Sequence, residues 1–174
     1  MKKYELTAEF IEKWGKKLFR IKALISFGSV EAGELGGYVE KEDNLAQTGN
    51  AWVSGDARVY GDAWVSGNAW VSGNARVYGN ARVYGDAEVY GDARVCGDAW
   101  VSGDADYLLI GRIGSRFSFT TFFKNKDKGI TVSCGCFLGT IAEFRAKVTD
   151  THGNNKHAKM YNLAADMAEL QILG

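Results

Sequence analysis

Two cysteines and two histidines in the C-terminal third of the chain are residue types that bind metal ions. Cys134 and Cys136 are separated by one glycine, and His152 and His157 follow later in the chain. Zinc accepts two thiolates and two imidazoles in a tetrahedral site. The C-x-C spacing is shorter than the usual C-x2-C, and small thiols on one face of a strand are commonly buried. We therefore expect no metal ion, with these four residues as the candidates if one is bound.

A glycine-rich basic turn is a second candidate site. Gly111 and Gly114 form a G-x-x-G run that is flanked by Arg112 and Arg116. Backbone amides and two guanidinium groups in such a turn can hold a phosphate. The run lacks the Lys-Ser/Thr of a phosphate-binding loop, so a plain connector is the alternative.

Catalytic chemistry has one candidate, His152, which follows Asp150 and could act as a general base. The sequence places no serine or cysteine nucleophile beside it, and a histidine near a helix C-terminus is also favoured by the helix dipole. We expect no catalytic residue and no cofactor, and hence a protein that is not an enzyme.

A six-residue repeat between Gly49 and Asp106 precedes these groups in the chain and fixes the architecture. Its units have the form G-[ND]-A-x-V-x, nine of them are complete, and only the fourth and sixth positions vary widely. A strict short period is typical of a solenoid. An aliphatic residue followed four places later by a small one is the hexapeptide pattern of the left-handed parallel β-helix. Three units would form one triangular coil, with Val inside and the Gly-Asn or Gly-Asp pairs at its corners.

Stacked coils align every eighteenth residue into columns on the three faces. One face carries Arg58, Arg76 and Arg94, beside Tyr60 and Tyr78. Arginines stacked at a rung spacing of ~4.8 Å repel one another unless an anion neutralises them. Asp56, Asp92 and solvent could neutralise them, or else an anionic ligand or an acidic protein surface binds this stripe.

The other two faces carry the tryptophans of the repeat: Trp52, Trp64, Trp70 and Trp100. All four stand at positions predicted to face outwards, and exposed tryptophan is enriched at protein interfaces. The alternative is that the terminal segments fold back over them. We expect a homo-oligomer, a trimer or a dimer, with these tryptophans in its interface.

The flanking segments are predicted to close the two ends of the solenoid. Residues 1–48 form an N-terminal cap, which includes a short helix from Ala8 to Trp14. Residues 49–106 are the β-helix, and residues 107–174 form an α+β module of the order ββαα. Its second strand runs from Ile130 to Phe137, and a capping box at Thr140 opens its first helix. Its second helix has an apolar stripe consisting of Ala158, Tyr161, Leu163, Ala164, Met167 and Leu170.

The composition excludes several classes of protein. Lysine plus arginine equal aspartate plus glutamate among the 174 residues, so the net charge is zero, which argues against general nucleic-acid binding. No apolar run reaches the ~20 residues of a membrane span. Three cysteines give no even disulfide framework, and we expect a cytoplasmic protein.

The repeat resembles that of the hexapeptide acyltransferases, which are commonly trimers with an acyl-donor site between prisms and a catalytic histidine on a coil or its loop. The run from Gly49 to Ser102 contains no histidine and no inserted loop.

The whole chain resembles small phage and prophage proteins of gut bacteria. The resemblance rests on the opening Lys2–Thr7, on Leu35–Glu40, on the repeat, and on Ile113–Arg116, Val132–Phe137 and Thr151–Gly153. It implies a location in the cytoplasm of the bacterial host and, by analogy, interference with host defence. Three hypotheses follow: a binding protein that sequesters an anionic ligand such as a signalling nucleotide or blocks a host protein, an acyltransferase, and a structural virion component.

Overall fold

The protein is a β-solenoid that is closed at one end by a hairpin and at the other by an α+β module. The computed structural model describes all residues from Met1 to Gly174. The strands are β1 (Tyr4–Lys13), β2 (Lys16–Ala23), β3 (Leu35–Val39), β4 (Trp52–Val53), β5 (Arg58–Val59), β6 (Trp64–Val65), β7 (Trp70–Val71), β8 (Arg76–Val77), β9 (Arg82–Val83), β10 (Glu88–Val89), β11 (Arg94–Val95), β12 (Trp100–Val101), β13 (Tyr107–Ile113), β14 (Ser118–Lys124), β15 (Ile130–Cys134) and β16 (Phe137–Thr140). The helices are α1 (Ile141–His152) and α2 (Lys156–Leu173).

The repeat forms three parallel ladders, one on each face of a prism of about four turns. They contain β4-β7-β10, β6-β9-β12, and β5-β8-β11, which β3 extends by one more rung. The parallel stacking therefore begins at Tyr38, before the first repeat unit. The register pairs Arg58 with Arg76 and Arg76 with Arg94, as the eighteen-residue period predicts. A mainly β fold built on a β-solenoid is thus confirmed.

The core of the prism consists of the Val and Ala of every unit. Val53, Val77 and Val95 have no exposed surface, and neither have Ala57 and Ala75. The corner glycines have positive φ angles, as at Gly67 with +69°, because the backbone must reverse direction there without a Cβ clash. Burial of one small and one branched side chain per unit supplies the apolar contact between neighbouring coils.

The N-terminal cap is an antiparallel hairpin of β1 and β2 that continues the sheet beyond β3. The helix predicted from Ala8 to Trp14 is wrong, because Phe10 and Ile11 pair with Phe19 and Leu18 in the hairpin. A register shift between Leu6 and Phe10 interrupts the pairing of the two strands before it resumes at Phe10.

The cap also covers one of the tryptophans. Trp52 has no exposed surface and packs edge-on against Tyr4 and Phe27, at centroid distances of 6.4 and 5.5 Å. The prediction that Trp52 faces outwards and lies in an interface is therefore wrong. The segment after β2 folds over it, which was the alternative.

The C-terminal module has four antiparallel strands, in the order β13-β14-β15-β16, with both helices packed on them. The predicted strand Ile130–Phe137 is two strands, because Gly135 adopts a φ of +61° and reverses the chain. Together with β13, which precedes the two predicted strands, this changes the order ββαα to ββββαα. The capping box is confirmed, since Thr140 Oγ1 accepts a hydrogen bond from the Glu143 amide and Glu143 accepts one from the Thr140 amide.

The second helix turns a different face to the core from the one predicted. Its buried residues are Ala158, Tyr161, Ala164, Ala165, Ala168 and Ile172. Leu163, Met167 and Leu170, which were predicted to be part of the buried stripe, are exposed by 63%, 57% and 77%. Small alanines let the helix approach the sheet closely, and this leaves the longer side chains outside. Neither helix is long and apolar enough to cross a membrane.

Candidate functional site

The most distinctive surface is the face that carries Arg58, Arg76 and Arg94, here called the Arg stripe. Each arginine occupies the fourth position of its unit, where a two-residue strand holds the backbone in register with the next coil. All three side chains are half-buried. Their valine neighbours lie in the core, so the backbone under the stripe is rigid and the guanidinium groups point away from it.

No carboxylate forms an ion pair with the Arg stripe. None of its guanidinium nitrogens lies within 4.0 Å of a carboxylate oxygen. Asp56 and Asp92, which the sequence suggests as counterions, form no ion pair with the arginines of the stripe. Burial lowers the pKa of Arg76, and the charges of Arg94 and Arg58 lower it further. Like charges about 5 Å apart repel by roughly 3 kcal/mol at an effective dielectric constant near 20.

An aromatic stack runs beside the stripe. The rings of Tyr60 and Tyr78 are parallel, with an interplanar angle of 1° and centroids 5.0 Å apart. Trp14 stacks on the outer face of Tyr60 at 5.1 Å, and the Arg76 guanidinium lies 4.7 Å from the centroid of the Trp14 ring. Tyr60 therefore has both ring faces occupied, and the stack holds Arg76 in place rather than offering a free aromatic surface.

Trp14 was not identified as a site residue from the sequence. It lies in the turn between β1 and β2, far from Tyr60 in the chain, with a φ of +53°. The only local signal was its place beside Gly15, which is typical of a hairpin turn. No periodic pattern connects it to the repeat.

The two arginines of the predicted glycine-rich turn lie in different places. Arg112 belongs to β13 and lines a depression of about 220 Å³ with Arg94, Asp92 and Thr121. It is close to the last arginine of the Arg stripe, but β13 pairs with β14 in the C-terminal module and adds no rung to the ladder of the stripe. Arg116 lies instead on a separate pocket in the C-terminal module. A single turn that holds one phosphate between both arginines is therefore not formed.

Two of the remaining tryptophans are exposed. Trp64 and Trp100 are 38% and 43% exposed and line an open groove of about 750 Å³. Arg82 lies between them in the same column, 5.8 Å from the Trp64 ring centroid. Trp70 is half-buried, and its Nε1 donates to Ser54 Oγ at 3.1 Å.

The cysteine and histidine candidates do not form a metal centre. No group of three or more His, Cys, Asp or Glu side chains is arranged to hold a metal ion. Cys134 Sγ accepts a hydrogen bond from Thr120 Oγ1 at 3.2 Å, whereas Cys136 is exposed in the turn after β15. His152 and His157 lie near each other, with ring centroids 5.8 Å apart.

The proposed partner of His152 as a general base is occupied elsewhere. The Asp150 carboxylate pairs with Lys147 Nζ at 3.3 Å, one turn back on the same exposed helix surface. His152 stacks on Tyr161 instead, at 5.8 Å and 28°. The arrangement shows no histidine oriented by an acid.

Comparison with known families gives matches confined to the repeat. Residues 51–67, 57–73, 69–85, 75–88 and 87–105 each match the YdcK beta solenoid repeat. The matches end before β13 and begin after β3, so they cover neither the cap nor the C-terminal module. No curated protein matches the chain. In its central third the chain is therefore similar to YdcK beta-solenoid repeats, in agreement with the three ladders of the structure.

Proposed function

We propose that the protein is a non-catalytic binding protein that holds an anionic ligand on the Arg stripe. One observation carries this proposal: three half-buried arginines stacked on consecutive coils have no carboxylate partner. Guanidinium groups pair strongly with phosphates and carboxylates, often through two parallel hydrogen bonds. A ligand with several anionic groups would relieve the repulsion within the stripe, which gives its binding a favourable electrostatic contribution.

The aromatic stack restricts the class of ligand. Since Tyr60 is enclosed between Trp14 and Tyr78, a nucleobase cannot stack on it without displacing a ring. Recognition would therefore act on charge rather than on the base. We propose a ligand with two or more phosphate groups, such as a nucleoside di- or triphosphate or a cyclic dinucleotide. Because the sequence resembles phage proteins, we propose that this ligand is a signalling nucleotide of the host, which the protein sequesters from its receptor.

Thermal melting with a panel of anions tests this proposal. Tripolyphosphate, nucleoside di- and triphosphates and cyclic dinucleotides would each be added to the protein at low ionic strength. We expect at least one to raise Tm by several degrees, because a ligand at about 100 times its Kd stabilises by roughly 2.7 kcal/mol. The same anion should lose its effect in high salt. A panel without any shift in Tm would contradict the proposal.

We also propose that the protein forms a homodimer through α2. The exposed side chains of this helix, Met160, Leu163, Met167, Leu170 and Leu173, follow the three- and four-residue spacing of a helix-pairing stripe. Asp166 and Glu169 are paired with Arg145 of α1, so the apolar stripe carries the pairing. The dipoles of two antiparallel copies of α2 are also complementary.

A two-fold axis at the level of Ala165 would give this helix pair a consistent register. It places Met160 opposite the partner's Leu170 and Leu163 opposite the partner's Met167. Such an isologous contact uses one patch twice, as most dimers do. It replaces the tryptophan interface predicted from the sequence, of which only Trp64 and Trp100 are exposed.

Sedimentation velocity distinguishes the two surfaces. We expect the natural protein to sediment as a dimer and the double variant Leu163→Glu/Leu170→Glu as a folded monomer, because buried unpaired carboxylates oppose association. The double variant Trp64→Ser/Trp100→Ser should remain dimeric. A monomeric natural protein, or dissociation of the tryptophan variant alone, would contradict pairing through α2.

A further inference from the structure

A small pocket in the C-terminal module lies outside the Arg stripe. It has a volume of about 190 Å³ and lies between the turn after β13, the turn between β15 and β16, and the C-terminal half of α1. Three segments that are distant in the sequence meet here, and they contribute Arg116, Cys134 and His152. These segments include Ile113–Arg116, Val132–Phe137 and Thr151–Gly153, none of which belongs to the Arg stripe.

The charge of the pocket is of one sign. Arg116, Lys147 and His152 line it, and no aspartate or glutamate does. Arg116 forms no ion pair, and Lys147 pairs only with Asp150 on the exposed side of the helix. His152 is the last residue of α1, and its side chain lines the same space. Two cationic side chains, Arg116 and Lys147, thus line a space that has no carboxylate in its lining.

The walls of the pocket are held by close packing. The Tyr161 hydroxyl lies directly against Gly114, where a Cβ would collide with the ring. The Tyr161 ring is fixed by edge-on contact with Phe144 at 5.6 Å and stacks on His152. These contacts place the imidazole before any ligand arrives, which lowers the entropic cost of binding.

The glycine of the β15–β16 turn contributes to the same geometry. Gly135 has a positive φ, and its carbonyl accepts a hydrogen bond from Arg94 Nη1 at 3.2 Å. A Cβ at this position would lie 3.6 Å from Arg116 Nη1. The turn is therefore anchored to the last arginine of the solenoid on one side and passes close to the pocket arginine on the other.

We propose that this pocket binds a single phosphate group, in a second anion site that is separate from the Arg stripe. Its volume is below the ~300–1,000 Å³ of sites for drug-sized ligands, so it fits one tetrahedral oxyanion and not a whole nucleotide. Arg116 and Lys147 supply charge-assisted donors, and the hydroxyls of Ser115 and Thr151 lie in the same lining. Free phosphate and the terminal group of a phosphomonoester present the same chemistry to these residues.

Calorimetric titration with inorganic phosphate and with phenyl phosphate tests the proposal. We expect both to bind the natural protein and to bind the variants Arg116→Gln and Lys147→Gln at least tenfold more weakly. Lys159→Gln, an exposed lysine of α2 outside the pocket, is the matched control and should bind like the natural protein. Binding of phenyl phosphate would identify a phosphomonoester as a source, and binding of inorganic phosphate alone would identify the free ion.

The proposed anion sites on the Arg stripe and in the pocket can be tested independently. Arg76→Gln should leave the affinity for inorganic phosphate unchanged, because Arg76 does not line the pocket. Absence of phosphate binding at millimolar concentration would overturn the proposal, as would equal affinity in Arg116→Gln and the natural protein. A loss of phosphate binding in Arg76→Gln alone would place the ion on the stripe and overturn the pocket site while supporting the proposed function.

Discussion

At the residue scale, Lys3 closes the open end of the prism with a charged side chain. Its Nζ donates to the carbonyl oxygen of Ala51 at 2.8 Å and lies 4.8 Å from the centroid of the Phe27 ring. These contacts pair an otherwise orphaned carbonyl at the edge of the first coil. Burial lowers the pKa of Lys3 from 10.5 to about 8, so the charge is costly in the folded state.

This shift predicts how stability depends on pH. The folded-state pKa of Lys3 lies below that of the unfolded chain, so between pH 8 and 10.5 the unfolded chain binds more protons. The cost of the buried charge is fully present below pH 8, and the free energy of unfolding should rise as pH increases from there. Urea denaturation up to about pH 9.5 would show this rise in the natural protein but not in Lys3→Met. Parallel profiles for the two proteins would contradict it.

At the element scale, the corner glycines determine how closely the coils stack. A Cβ on Gly67 would lie 2.9 Å from the backbone nitrogen of Gly85 in the next coil, whereas a Cβ on Gly97 meets nothing within 4 Å. Both residues have positive φ angles, of +69° and +63°. A side chain at either position would therefore strain the backbone to the same degree, but only a side chain at position 67 would also clash with the next coil.

This pair predicts unequal costs for the same substitution. Gly97→Ala should lower the free energy of unfolding by about 1 kcal/mol, which is the cost of a left-handed alanine. Gly67→Ala should cost roughly 2 kcal/mol more, because the neighbouring coil must move away. Urea denaturation of the two variants measures the difference. Equal losses would show that the rungs adjust freely.

Among the elements, the coils could be predicted from the sequence, because each repeat position has one residue type and one role. The register of the arginines followed from the period alone. The burial of Trp52 could not, because it depends on a segment that approaches from another part of the chain. The turn at Gly135 could not be predicted, because it lies within a run whose composition is typical of a single strand. The orientation of α2 could not be predicted either, because it depends on the close packing of alanines, which are less hydrophobic than the leucines of the same helix. The contact between Trp14 and Tyr60 has no local signal.

At the scale of the whole molecule, the prism is a rigid support, and the segments that close its two ends both contact the Arg stripe. The β1–β2 hairpin places Trp14 against Arg76, and the C-terminal module places Arg112 next to Arg94. The stripe is thus bounded by the cap at one end and by β13 at the other. The phosphate pocket lies just beyond that second boundary, and the apolar stripe of α2 is left exposed for a second copy.

Anion binding by the Arg stripe is tested by a calorimetric titration of tripolyphosphate into the natural protein and two matched variants. Arg76→Gln removes one charge from the Arg stripe, whereas Arg82→Gln removes one from the same repeat position on the tryptophan face. We expect binding to the natural protein and to Arg82→Gln, and at least tenfold weaker binding to Arg76→Gln, a loss of about 1.4 kcal/mol. Equal affinity in all three proteins, or an equal loss in both variants, would contradict it.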